Sequence, residues 1–218
     1  MKVSRERINA AATAAFSDTT ETLGRGCNAA SCAALCKRQN AVIEAEIETL
    51  DRGSAAVACR PGCNFCCHQR VSVLPHEAFA LLDHLRTRAT AADAAVIERR
   101  IRDNARRIDG MTVSQHHAAN IACAFLVEGQ CAAYESRPSI CASFHSLSRE
   151  RCEHSFNHPE DIGTPRNSRP ALLQLTAFTD ALIEAMQTGT ATAGLANGKA
   201  ELHQAVRALL DASPYAEG

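Results

Sequence analysis

The chain has no tryptophan and only two tyrosines in 218 residues, and three methionines. Large rings therefore do not build its core. With alanine abundant, the composition leans towards helices meeting through small side chains. No apolar run approaches the ~18–20 residues needed to cross a bilayer. Neither sign of charge dominates: 23 basic and 24 acidic residues give a formal charge of −1, so nothing points to a nucleic-acid or membrane partner. The locally basic stretch "RTRATAADAAVIERRIRDNARR" (86–107) reads as a solvated helix face. The opening "MKVSRERINAAATAAF" places charges where a signal peptide needs its apolar stretch, so a cytoplasmic location is expected.

Cysteine, by contrast, is plentiful. There are eleven, and in a reducing compartment clustered cysteines more often bind metal or do redox chemistry than form structural disulfides. The odd count also rules out complete pairing. Four lie in "CRPGCNFCC", as Cys59, Cys63, Cys66 and Cys67, and four are spread downstream as Cys123, Cys131, Cys141 and Cys152. Zinc takes four thiolates in a tetrahedron, and iron–sulfur clusters take four cysteine ligands. Short C-x2-C and C-x3-C loops turn both sulfurs to one point, with Pro61-Gly62 forcing the bend. In an extended backbone Cys66 and Cys67 point to opposite sides, which argues for two sites or one multinuclear site.

The expected fold is mainly α, with irregular cysteine-rich loops and a small hairpin embedded in a helical body. Helices are predicted over 2–16, 31–50, from Pro75, from 91 towards Gly110, over about 170–187 and over about 199–211, with 17–28 as a turn-rich link. "VSV" (71–73) is a candidate strand, and "EGQ" (128–130) centres a candidate hairpin. Three regions are expected: N-terminal helices to residue 54, a cysteine-cluster domain over 55–160, and C-terminal helices from 161 packed on it.

The joint pattern of "CRPGCNFCC", "CAFLVEGQCAAYESRPSICASF" and a last Cys152 resembles the YkgJ-type cysteine-cluster family, a zinc- or iron-chelating domain. The positions carrying the resemblance are Cys59, Cys63, Cys66, Cys67, Cys123, Cys131, Tyr134, Arg137, Pro138, Cys141 and Cys152. Members often have arginine directly after the position of Cys141, where this chain has Ala142. The resemblance implies eight cysteines holding iron, as an iron–sulfur cluster or otherwise, or zinc. It leaves the molecular role undefined. Two zinc ions on eight thiolates would leave about −4 of charge, and an oxidised cubane on four thiolates about −2. Either needs donors nearby; Arg60, Arg70, Arg137, Arg149 and Arg151 are candidates.

An enzyme is the alternative. Flagellin lysine N-methylases join a similar cysteine pattern to methyl transfer, but no Gly-rich methyl-donor turn is visible here. "CRPGCNFC" also matches the cluster loop of radical S-adenosylmethionine enzymes, whose alternating strands and helices are missing. A redox role would need an open coordination position. No catalytic residue and no organic cofactor site is assigned. Among nine histidines, His68, His145, His154 and His158 flank the clusters as substitute ligands, each more simply read as hydrogen-bonded or exposed. Cys27, Cys32 and Cys36 form a separate group; Cys32 and Cys36 share a helix face and read as small apolar fillers.

Overall fold

The computed structural model describes residues 3–53, 57–60, 62–161, 163, 169–196 and 198–212, without the side chains of 51–53. The fold is mainly α, as expected, with two two-stranded ribbons. No helix among the described residues is long and apolar enough to cross a membrane.

Helix α1 spans Arg5–Gly24, where Ser4 Oγ accepts from the Arg7 amide at its start. It runs eight residues beyond the expected end, through the segment read as turns. Tertiary contacts override the local signal. Thr19 and Leu23 are buried, and Asp18 binds the Arg38 guanidinium through both oxygens at 3.0 and 2.6 Å. Gly26, at φ +125°, then reverses the chain. Helix α2, Ala29–Gly53, starts two residues early because Asn28 and Ser31 cap it reciprocally, Ser31 N to Asn28 Oδ1 at 2.9 Å and Asn28 N to Ser31 Oγ at 3.1 Å.

Strand β1 (Ser72–Val73) leads into α3 (Pro75–Thr87), with proline at its first position. Thr90 caps α4 (Ala91–Arg107) through the Asp93 amide. A short α5 (Val113–Ala118) follows, capped by Thr112 and Gln115. The hairpin expected at "EGQ" is β2 (Leu126–Val127) with β3 (Gln130–Cys131). Its two-residue turn has positive φ at Glu128 (48°) and Gly129 (78°), as the tight hairpin turns require. Then come α6 (Ser139–Ser143), α7 (Arg149–Asn157) and α8 (Leu173–Thr192). Strand β4 (Ala200–Glu201) pairs antiparallel with β1, and α9 (Leu202–Ala212) ends the described chain.

Three apolar clusters hold these elements. One joins α3, α4, α9 and the hairpin through Leu81, Ile97, Ile101, Phe125, Leu202 and Val206, and it also takes in Cys123 and Cys131. A second joins α2, α6 and α8 through Ile43, Ala142, Phe178, Leu182 and Met186. A third holds Leu23, Cys32, Leu35, Cys36 and Ala80. The basic face of α4 is largely spoken for: Arg100 donates to the Leu126 carbonyl at 2.9 Å, Arg102 pairs with Asp211, and Arg106 pairs with Asp103.

Helices α1 and α8 approach closely where Gly189 faces α1; a Cβ there would stand 2.9 Å from both the Phe16 carbonyl oxygen and Thr19 Cβ. Alanine is favoured over glycine in a helix by ~1 kcal/mol, yet here the contact wins. We expect Gly189→Ala to destabilise the protein by about 1–3 kcal/mol, read as a lower denaturant midpoint with unchanged slope.

Candidate metal centre

The first cysteine loop is folded by local backbone bonds. Cys63 N donates to Arg60 O at 2.9 Å, and Gly62 sits at φ +84°, which favours glycine. Of the Pro61-Gly62 turn expected from sequence, Pro61 lies outside the described residues. Phe65–His68 form a 3₁₀ turn closed by Cys67 N to Asn64 O at 2.9 Å and Gln69 N to Cys66 O at 3.1 Å. The expectation that Cys66 and Cys67 diverge assumed extended backbone and is corrected here. The chain is curled at these residues, and the neighbouring Cys67 is the largest influence raising the Cys66 thiol.

The downstream cysteines ride on four different pieces of structure: the loop before the hairpin (Cys123), β3 (Cys131), α6 (Cys141) and α7 (Cys152). The two halves of the sequence pattern meet directly. Cys123 N donates to Cys67 O at 2.7 Å, Ala58 N donates to Ser146 O at 2.7 Å, and Asn64 Nδ2 reaches Gly129 O at 3.4 Å. Phe156 of α7 packs on Phe65 (ring centroids 5.5 Å apart) and on His68 (4.7 Å).

The thiols feel one another electrostatically. Cys59 is affected by Cys63, Cys66 and Cys152, while Cys66, Cys123 and Cys131 all bear on Cys141. Cys66 is common to both groups. Burial pushes the Cys123 thiol up to about 12 and also raises Cys59, Cys131 and Cys141; Cys66 is raised chiefly by Cys67, then by burial. All eleven cysteines are free thiols. Among the described residues no three or more His, Cys, Asp or Glu side chains are grouped so that they could hold a metal ion.

Of the five candidate arginines, Arg137 is the one whose charge lowers Cys66 and Cys131 against the other effects on them. It is buried, stacked 3.6 Å over the Tyr134 ring, and paired with Glu44 at 2.7 Å through Nη2. Its Nε and Nη1 are buried without a hydrogen-bond partner. Two orphaned cationic N–H groups beside a thiol cluster fit sulfur that carries negative charge, as metal-bound thiolate does. By contrast, Arg60 donates to the carbonyls of Val57 and Cys59, Arg70 to Ser72 Oγ, and Arg149 lies over Phe65.

Several positioning residues left little trace in the sequence. Glu77, buried, accepts from the Leu74 amide at 2.8 Å and the Ser139 amide at 2.7 Å, tying the start of α3 to the helix carrying Cys141. Asn40 donates to the Arg137 carbonyl at 2.8 Å. His203 accepts on Nε2 from the Ala124 amide at 3.2 Å and donates from Nδ1 to Glu201 at 2.8 Å, anchoring the residue after Cys123 to α9. His145, considered as a ligand, has Nδ1 on the Ser143 carbonyl and Nε2 on the Leu172 amide. Both ring nitrogens are thus taken by backbone. Cys27, Cys32 and Cys36 belong to the third apolar cluster.

Residues 58–162 match the family model described as "CxxCxxCC: Putative zinc- or iron-chelating domain". This segment is a CxxCxxCC domain. No curated protein and no solved structure matches the chain. The domain match covers both cysteine groups and the residues that join them. At the position where the resemblance leads one to look for arginine, Ala142 is buried in the apolar cluster of Ile43, Phe178 and Met186.

The Glu201–His203 pair yields a pH prediction. Burial alone would lift the Glu201 carboxyl, but bonds from His203 and the Gln204 amide hold it below its ordinary 4.5. A depressed carboxyl adds stability that is present above the unfolded value and lost as pH falls through the folded one. We expect Glu201→Gln to cost about 1–3 kcal/mol at neutral pH. The gap to the parent should shrink as pH drops below ~4.5, measured by denaturant titration across that range.

Proposed function

We propose that the CxxCxxCC domain chelates iron or zinc through Cys59, Cys63, Cys66, Cys67, Cys123, Cys131, Cys141 and Cys152. The observation that carries this reading is the direct joining of the two cysteine segments by backbone hydrogen bonds, Cys123 N to Cys67 O and Ala58 N to Ser146 O, together with the orphaned N–H groups of Arg137. Thiols on neighbouring segments are awkward as thiolates and stable as ligands, because a bound cation inverts the local electrostatics. The adjacent Cys66 and Cys67 on one curled turn favour a multinuclear centre, either an iron–sulfur cluster or two zinc ions sharing thiolates. Cysteine ligands must stay reduced, so a cytoplasmic setting suits this role. The N-terminal helices to residue 54 and the helices from 161 onward form the frame in which the chelating region sits.

Element analysis of protein purified without air tests the reading. Brown protein with iron–sulfur charge-transfer absorption identifies a cluster; colourless protein with bound zinc identifies a thiolate zinc site; folded protein with neither metal refutes both. Cys66→Ser should lose most of the metal, whereas Cys36→Ser should keep it. Arg137→Gln should weaken metal retention by ~10–100-fold, scored by competition with a chelator, with Arg137→Lys intermediate because it restores charge without the planar fork.

A second reading, a cluster-dependent redox or methyl-transfer enzyme, is favoured by one feature. A cavity of about 220 Å³ is bordered by Phe65, Cys66, Phe144, Arg151, Cys152 and Arg169, so a small molecule can reach two of the proposed ligands. An open coordination position would let a small anion such as cyanide shift the metal's spectrum. A spectrum indifferent to such anions argues for a purely structural or storage centre.

A further inference from the structure

Cys27 and Cys32 lie outside the CxxCxxCC domain and have no part in the proposed centre. Their geometry is set by the start of α2. The reciprocal bonds between Asn28 and Ser31 make Asn28 the cap, which places Cys27 just before it and Cys32 four residues inside. These are the two positions that meet in a hydrophobic staple. Here the staple consists of two sulfurs, with Sγ atoms 3.1 Å apart. Bonded sulfurs stand ~2.05 Å apart, so covalent closure needs a movement of about 1 Å along a direction the cap already fixes. Accessibility is unequal. Cys32 is fully buried among Leu23, Leu35, Cys36 and Ala80, whereas Cys27 is partly exposed.

We propose that Cys27 and Cys32 are a redox dithiol whose substrate is a small disulfide of the glutathione-disulfide class, which converts it to an intrachain disulfide across the start of α2. The exposed Cys27 thiolate attacks one sulfur of the small disulfide, forms a mixed disulfide and expels one thiolate. Cys32 then attacks Cys27 Sγ as its proton passes to the departing sulfur, forming the Cys27–Cys32 bond and releasing the second thiol. The two cysteines are oxidised by two electrons, and the small disulfide is reduced to two thiols that take up the two protons. A dithiol reductant reverses the sequence. Cys36, buried one helical turn further on, stays a thiol.

The test uses the full chain with its metal content as purified. Protein is equilibrated with oxidised glutathione, quenched in acid, unfolded, alkylated and digested with trypsin. Cleavage after Arg25 and Lys37 releases a peptide holding Cys27, Cys32 and Cys36 together. Reduced protein should give three alkylations. Oxidised protein should give a peptide two hydrogens lighter than the thiol form, with one alkylation, on Cys36, and dithiothreitol should restore all three. Cys32→Ser should carry glutathione on Cys27 and form no loop; Cys36→Ser should form the loop with no alkylation. Three alkylations at every oxidant ratio, a loop that includes Cys36, or a cross-link from Cys27 to a cysteine of residues 58–162 would each overturn the proposal. Oxidation of the metal-domain cysteines appears in other peptides, so failure of the metal reading does not affect this result.

Discussion

Buried thiols that are not bonded to one another constrain this molecule more than any other feature. Burial favours the protonated form, and each neighbouring thiolate makes the next ionisation harder. Cys66 bears on both groups: it feels Cys67 most, and it bears on Cys59, Cys123, Cys131 and Cys141. Such a cluster has two comfortable states, one fully protonated and one in which a cation supplies the missing charge. Intermediate ionisation is costly. The segment around Cys123 and Cys131 is anchored by Ala124, Phe125 and Ala133, buried in the apolar cluster that α3, α4 and α9 complete, so the positions of these sulfurs depend on that helical frame.

That frame works through α2. Its side chains read the downstream half of the chain at long range: Asn40 holds the Arg137 carbonyl and Glu44 holds the Arg137 guanidinium. Gln39, from the same helix, donates to Thr19 of α1 at 2.8 Å. Arg137 is thereby fixed by its backbone, by one nitrogen and by the Tyr134 ring, while two N–H groups are left unpaired beside the sulfurs. A long flexible side chain is turned into a fixed positive charge before any metal arrives, so little reorganisation is needed when sulfur becomes anionic. Glu77 does the same for backbone, joining the starts of α3 and α6 with its two oxygens.

What was legible in the sequence follows from how local each signal is. Pro75, the Thr90–Asp93 pair and the Glu128–Gly129 turn act within four residues, and their elements stand where the pattern puts them. The α1 extension was hidden because "SDTTETLG" is turn-like by itself and helical only through Asp18–Arg38 and the burial of Thr19 and Leu23. Strand β4 was invisible for a similar reason: two residues become a strand only by pairing with Ser72 and Val73, far away in the chain. In the cysteine region spacing named the ligand candidates, but not that Cys66 and Cys67 sit in a 3₁₀ turn closed by Cys67 N on Asn64 O and Gln69 N on Cys66 O, backbone bonds that residue types do not announce. Five arginines neighbour cysteines in sequence, and Arg137 alone combines burial with unpaired donors. Sequence adjacency says where a side chain begins, and packing says where its charge ends up.

The odd cysteine count takes on a physical meaning once surroundings are compared. Cys32 and Cys36 sit among leucine and alanine, where burial outweighs the pull of Arg38 on Cys36, a setting that suits neutral sulfur, whether as thiol or as disulfide. The eight downstream thiols are partly exposed, and Arg137, with two unpaired nitrogens, bears on Cys66 and Cys131 among them, a setting that suits charged sulfur bound to a metal. Cys27 stands at the boundary, partly exposed yet touching Cys32, and so is the route by which a soluble oxidant meets a buried partner. Charge therefore divides the thiols between two chemistries that need not interfere. Sulfur held neutral by an apolar core binds a cation poorly, and sulfur committed to a cation is a poor nucleophile towards a disulfide.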